Sequence, residues 1–187
     1  MEYYQRNLPH WFPDGEVIFL TWRLHGSLPV ACSRHLRDAS GSIAGKKFRL
    51  LDTRLDQALS GPVWLKRPEV AACVVATLHR GARELRHFLL HAYVVMPNHV
   101  HALITPKTEV SKLMNGIKGV TSRAANRILQ RTGKPFWQDE SFDRWVRDPG
   151  EFAKIKSYIE ENPVMAKLVA KPEDWPWSSA SSEFRKN

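Results

Sequence analysis

Apolar residues along the chain recur with two different periods, and the change from one to the other predicts the order of elements. Val17 to Leu24 (Val-Ile-Phe-Leu-Thr-Trp-Arg-Leu) is dense in β-branched and aromatic residues and predicts a strand. Phe88 to Met96 predicts a buried strand, Pro97-Asn98 a tight turn, and His99 to Thr105 the antiparallel return. Phe136-Trp137-Gln138 and Trp145-Val146-Arg147 predict short extended pieces. Elsewhere the spacing is helical. Ala44 to Leu59 places Phe48, Leu51, Leu55 and Leu59 on one side, and Gly61-Pro62 breaks it. Pro68 to Leu85 has an inner stripe of Val70, Cys73, Val74, Thr77 and Leu78. Val110 to Arg131 has one at Leu113, Ile117, Val120, Ala124 and Ile128, ended by Gly133 and Pro135. A last helix covers Pro149 to Asn162 and is stopped by Pro163.

Strand, helices, hairpin, helix, strand, helix is the order of an α+β ferredoxin-like sandwich. It predicts an antiparallel sheet with helices packed mainly on one face and the 88–105 hairpin at its centre. At 187 residues the chain fits one domain over 1–187. Residues 1–14, with Pro9 and Pro13, read as an irregular lead-in, and 169–187 as an aromatic, proline-containing cap and tail.

Charge narrows the partners. Lys and Arg number 28 against 19 Asp and Glu, a formal net charge of +9, which favours a polyanion. Nucleic acid is preferred over a membrane, because no apolar run approaches the roughly 18 to 20 residues of a spanning helix. Met1-Glu2-Tyr3-Tyr4-Gln5-Arg6 has no apolar signal core, and Cys32 and Cys73 are too few for a disulfide framework or a cysteine zinc site. The expectation is a soluble, cytoplasmic protein with reduced thiols.

Candidate chemistry begins at His99-Val100-His101. On a strand these histidines project from one face while Val100 points to the other, into the core. Two imidazoles on one face make half of a divalent-metal site with room for a substrate oxygen, which suggests phosphoryl transfer on a nucleic acid. From spacing alone, a pair of surface histidines on an edge strand is the competing reading. Tyr158 and Asn162 stand at i and i+4 on the last helix, so both share one face. There a phenol can reach a metal-held phosphate while the Asn amide oxygen completes coordination; the alternative is a half-buried tyrosine with an Asn cap before proline. Arg123, Arg127 and Arg131 recur every fourth residue as a basic ridge suited to phosphates, or as a solvated helix face. Lys46, Lys47, Arg49 and Arg54 form a second basic cluster. Lys112, Lys118 and Lys134 are further candidates for phosphate contacts, Trp11 and Trp177 for base stacking. Asp139, Glu140 and Asp143 read as a surface loop with a possible place near a metal, and His91 and Tyr93 as core or supporting residues.

Ala92-Tyr93-Val94-Val95-Met96-Pro97-Asn98-His99-Val100-His101 closely resembles the His-hydrophobic-His motif of single-tyrosine HUH transposases. Trp137-Gln138, Phe142-Asp143, Val146-Arg147 and Tyr158-Ile159…Asn162-Pro163 resemble the downstream pattern of REP-associated tyrosine transposases. Pro172-Glu173-Asp174-Trp175-Pro176-Trp177-Ser178-Ser179 is similar to their C-terminal signature, so the likeness runs from about Asn7 to Ser179.

The resemblance implies that His99 and His101 bind Mg²⁺ or Mn²⁺, that Tyr158 on the C-terminal helix is the nucleophile, and that Asn162 is a polar metal ligand. It implies single-stranded DNA with a hairpin as substrate and a monomer or homodimer as the working unit. Tyr158 would attack phosphorus, expel the upstream 3′ oxygen and leave a 5′-phosphotyrosine link, whose retained energy permits strand transfer without ATP. A phenol of pKa about 10 needs help to ionise at neutral pH. Three other readings remain: a hairpin-DNA-binding regulator without cleavage, a metal phosphoesterase using activated water, and a zinc hydrolase, which lacks an evident third ligand.

Overall fold

The computed structural model describes residues 2–5, 9–12, 15–28, 55 and 61–182. Strands β1 (Glu2–Gln5) and β2 (Pro9–Phe12) pair antiparallel as a small separate hairpin. The expected irregular lead-in is therefore partly ordered, with Pro9 at the first position of a strand, where its missing N–H is tolerated. The main sheet contains β3 (Ile18–Arg23), β4 (Phe88–Val95), β5 (His99–Pro106) and β6 (Phe142–Trp145), in the order β4-β5-β3-β6 and antiparallel throughout. Helix α1 (Pro68–His79) joins β3 to β4, α2 (Val110–Ile128) joins β5 to β6, and α3 (Pro149–Met165) follows β6. This is the ferredoxin-like α+β arrangement that the element order predicts.

The sheet is buried on both faces because its strands carry apolar residues on both. Ile18, Leu20 and Trp22 of β3 meet Val100, Ala102 and Ile104 of β5 beneath α1 and α2. Phe19, Val94 and Leu103 face the other way, toward Ile159 and the half-buried residues of α3. In β4 the register shifts between Leu90 and Ala92, so His91 is an extra residue. That bulge reverses the alternation, sending Leu90 to the α1/α2 side and Ala92 to the α3 side.

Helix ends and stripes depart from expectation at three places. In α2, Thr121 and Ala125 are buried while Val120 is 43% exposed. The polar Thr121 takes the inner position because its hydroxyl donates to the Ile117 carbonyl at 2.6 Å and accepts from Trp137 Nε1 at 2.8 Å. The same helix stops at Ile128 instead of Arg131, followed by Gln130 at φ 53°, a left-handed stop. Helix α3 begins with Asp148 capping the Glu151 N–H at 2.9 Å and Pro149 in the first turn. It then runs through Pro163 to Met165. Pro163 lies so near the end that it removes one bond, to the Ile159 carbonyl, while the Ala166 N–H still reaches the Asn162 carbonyl at 2.9 Å.

The hairpin is central only in part: β5 is an inner strand and β4 lies at the edge. The edge is covered by the tail, where the Val95 N–H donates to the Trp177 carbonyl at 2.8 Å and the Ser179 N–H to the Tyr93 carbonyl at 2.9 Å. Just beyond the end of β3, Gly61 has φ +84°, and a Cβ there would sit 2.2 Å from the Gly26 carbonyl oxygen, so only glycine fits. The predicted helix 44–59, Cys32 and the Lys46, Lys47, Arg49 and Arg54 cluster lie outside the described residues, apart from buried Leu55. Cys73 is a free cysteine whose thiol is pushed up by burial to about 11 and donates to the Val70 carbonyl. No helix among the described residues is long and apolar enough to cross a membrane.

Candidate active site

His99 and His101 occupy the first and third positions of β5, so the pleat puts both on the α3 side while Val100 enters the opposite core. Their rings sit 4.7 Å apart at 72°, with the two Nε2 atoms facing each other at 3.1 Å. Both are fully buried, which removes the surface-pair reading.

Each ring is held from behind. His99 Nδ1 lies 2.7 Å from Asn98 Oδ1. That oxygen can only accept, so His99 carries its proton on Nδ1 and turns a lone pair outward at Nε2. Asn98 is itself oriented by its amide, which donates to the Leu55 carbonyl at 2.8 Å. His101 Nδ1 lies 2.7 Å from Thr21 Oγ1. A hydroxyl can donate or accept, so Thr21 serves either tautomer of His101. With the His101 proton on Nε2, that proton is shared with His99; with it on Nδ1, both Nε2 lone pairs converge on one point.

A divalent cation fits this donor set. Two nitrogens about 2.1 Å from one ion and at right angles stand about 3.0 Å apart, close to the separation of the two Nε2 atoms. The oriented Nδ1 partners are those that histidine ligands require. Among the described residues, no group of at least three His, Cys, Asp or Glu forms around the pair. Asp143 stands opposite Leu20 on the other face of the sheet, which separates it from the histidines.

Tyr158 on α3 is half-buried with its ring 5.9 Å from that of His101 and 6.4 Å, edge-on, from that of Phe19. Phe19 also packs on His101 at 5.5 Å, so the three rings form one wall. Asn162 follows one helical turn later and is buried. Arg23 pairs in register with His99, so its side chain leaves the sheet on the same face. Burial pulls its guanidinium below its ordinary value, and Nη1 donates to Ser27 Oγ at 3.3 Å. The sequence alone does not mark Thr21, Asn98, Phe19 or Arg23 as site residues. Asn98 reads as a turn residue there, and the other three become neighbours of the histidines only through the β3–β5 register.

The remaining candidates lie elsewhere. Arg123 and Arg127 are exposed on α2, which packs on the sheet face opposite the histidines. Arg131 has left that helix: its guanidinium lies 3.5 Å over Trp64 and donates to the Pro135 carbonyl at 2.9 Å. The ridge is thus Arg123 and Arg127. Lys118 ties down the Gln138 and Asp139 carbonyls and Lys112 pairs with Glu109. Trp177 is half-buried against the larger core, while the side chain of Trp11 lies outside the described residues. His91 bonds Thr105 and Tyr93 bonds His79, so each has a partner away from the histidine pair.

A family model described as transposase IS200 like matches residues 68–162, just over half of the chain, and spans both histidines, Tyr158 and Asn162. Among solved structures, a REP-associated tyrosine transposase bound to a REP hairpin is similar in fold. The match has 19% identity and a TM-score of 0.54, and covers 96% of this chain and 82% of that one. A candidate transposase from Deinococcus radiodurans aligns at 17% identity and a TM-score of 0.43, covering 82% of this chain and 95% of that one. No curated protein matches.

Proposed function

This chain belongs to the IS200-like transposase family, and on that footing we propose that it nicks and rejoins single-stranded DNA beside a hairpin, using Tyr158 as nucleophile. The observation that carries the reading is the packing of Tyr158 against His101, whose Nε2 faces that of His99. In this reading His99 and His101 hold Mg²⁺ or Mn²⁺, with Asn162 as a further oxygen ligand. When bound, the ion neutralises charge that develops on the phosphate oxygens.

The protein residues then do the following. Asn98 and Thr21 keep the imidazoles oriented, and the wall of Phe19 and Tyr158 excludes water. Arg23 adds positive charge on the same face. The Tyr158 oxygen forms a bond to phosphorus as the bond to the upstream 3′ oxygen breaks, with net transfer of the phenol proton to that departing oxygen. The products are a 5′-phosphotyrosine and a free 3′-OH, and attack by another 3′-OH reverses the step. Both imidazoles are buried, so ion and phosphate reach them through local opening on the α3 side. Arg123 and Arg127, across the sheet, bind phosphates of the hairpin stem, and the fold relative bound to a REP hairpin supports a substrate of that kind. We take the whole chain, 1–187, as one transposase domain.

Covalent capture tests this. Labelled hairpin DNA with a single-stranded flank is incubated with Mn²⁺ and wild type, Tyr158→Phe or His99→Ala protein, then run on a denaturing gel. Label is expected to travel with wild type alone, while Tyr158→Phe retains hairpin binding. Cut DNA without adduct would replace the tyrosine with an activated water, and binding without cutting would leave a hairpin-binding regulator.

A further inference from the structure

We propose that Trp175–Ser179 is a strap that sets where α3 lies on the sheet, with Ser179 as a positioning residue for Tyr158. The inference rests on the reading of Tyr158 as nucleophile.

Three sets of bonds carry it. The backbone of Trp177 and Ser179 extends the sheet at the edge of β4, through the bonds to Val95 and Tyr93. Trp175 donates from Nε1 to the Val95 carbonyl at 3.0 Å while its ring packs into the cluster that contains Ile155, Tyr158 and Ile159 of α3. The Ser179 hydroxyl, on a residue only 3% exposed, then works in both directions. It accepts from the Tyr93 N–H at 3.1 Å and donates to Glu160 Oε1 at 3.1 Å.

Glu160 lies two residues beyond Tyr158 on α3. Tyr93 lies on β4, the strand hydrogen-bonded to the histidine strand β5. One buried hydroxyl therefore joins the framework that carries the imidazoles to the helix that carries the phenol. Its acceptor is a carboxylate, which makes that bond the stronger of the two. Alanine would remove both bonds, and threonine would keep both. In-line attack tolerates little misplacement: a shift of about 1 Å costs on the order of 100-fold in rate. A loosened strap thus lowers the rate of attack without touching DNA.

The test compares wild type with Ser179→Ala, Ser179→Thr, Glu160→Ala and Glu160→Gln in the full chain. Amide exchange is followed in peptides covering 149–165 and 99–106, and adduct formation is timed in single turnover at saturating Mn²⁺ and hairpin DNA. Ser179→Ala and Glu160→Ala are expected to speed exchange in 149–165 by about tenfold, with 99–106 unchanged and hairpin affinity within about twofold. Adduct formation falls by roughly 10- to 100-fold in the same variants. Ser179→Thr, which keeps the hydroxyl, restores both readouts, and Glu160→Gln, which keeps the acceptor oxygen without its charge, restores most of both. Unchanged exchange in 149–165 overturns the strap. So does an adduct rate equal to or above wild type, or a loss of protection across the whole sheet, which would mark Ser179 as a general fold residue. If wild type forms no adduct, the tyrosine reading fails, and the exchange arm still decides whether the strap holds α3.

Discussion

Replacing Thr21 with valine isolates the contribution of one hydroxyl to the histidine pair. The two side chains have nearly the same shape, and Thr21 is 3% exposed, so valine leaves no cavity. What disappears is the 2.7 Å bond to His101 Nδ1. A buried polar atom left without its partner costs about 1–3 kcal/mol. The added apolar surface offsets roughly 0.8 kcal/mol of that in folding stability, which leaves a net cost of about 0.2–2.2 kcal/mol and lowers the melting temperature by at most about 9 °C. The larger effect falls on the ion. With its lone pair at Nε2 committed to a cation, His101 must place its proton on Nδ1, and the Thr21 hydroxyl receives it there. Losing such an outer partner lowers metal affinity by roughly 10- to 100-fold, or about 1.4–2.8 kcal/mol. Calorimetric titration of Mn²⁺ into wild type, Thr21→Val and Thr21→Ser measures this directly. Serine keeps the hydroxyl and loses a methyl group, so it should bind Mn²⁺ within about threefold of wild type while melting about 2–4 °C lower. Thr21→Val binding Mn²⁺ within about twofold of wild type would refute the argument, because the oriented tautomer would then contribute nothing.

Three other outcomes follow from the same structure. Hairpin affinity measured from about 50 to 200 mM salt should lose roughly 1.8 from its log–log slope when Arg123 and Arg127 are both changed to alanine, since each phosphate contact contributes about 0.9; an unchanged slope would remove these residues from the DNA interface. His91 and His79 are both held below their ordinary value of 6.5, by burial first and then by Lys156 and Arg83 respectively. The unfolded chain therefore binds more protons just below that pH, so the stability they contribute is full above 6.5 and is lost as pH falls through their folded-state values. Urea melts across this range should weaken toward acid, and His91→Gln should flatten the decline. Gly61→Ala should destabilise the protein by about 2–4 kcal/mol through left-handed strain and the clash with the Gly26 carbonyl, and a shift in urea midpoint worth under about 1 kcal/mol would count against the close approach.

Much of the architecture was legible because hydrophobic period and chain breakers are local properties. The strand at Val17 to Leu24, the hairpin around Pro97-Asn98 and the split of His99 and Val100 to opposite faces all follow from alternation. Boundaries that depended on partners did not. Arg131 extends the helical period of α2 in sequence, yet the chain turns left-handed at Gln130 and the arginine is drawn to Trp64. Pro163 reads as a stop, yet one lost bond near a helix end is cheap beside the packing of the last turn. Val120 reads as the inward residue, yet Trp137 gives the neighbouring Thr121 hydroxyl a partner inside and Val120 is left exposed.

The sequence by itself determined the order of the main-sheet strands and of helices α1 to α3, the same-face histidines, the one-turn spacing of Tyr158 and Asn162 and, with the family match, the transposase assignment. Only the tertiary structure decided what surrounds these groups. The register of β3 against β5 sets Thr21 behind His101 and Arg23 beside His99, and the packing of α3 brings Tyr158 to His101 across 57 residues of chain. It also moved Arg123 and Arg127 to the far side of the sheet and tied Ser179 to both β4 and Glu160. The reason is physical: a side chain's face follows from its neighbours along the backbone, but its partners depend on which elements meet, and those contacts form between residues that no local period relates.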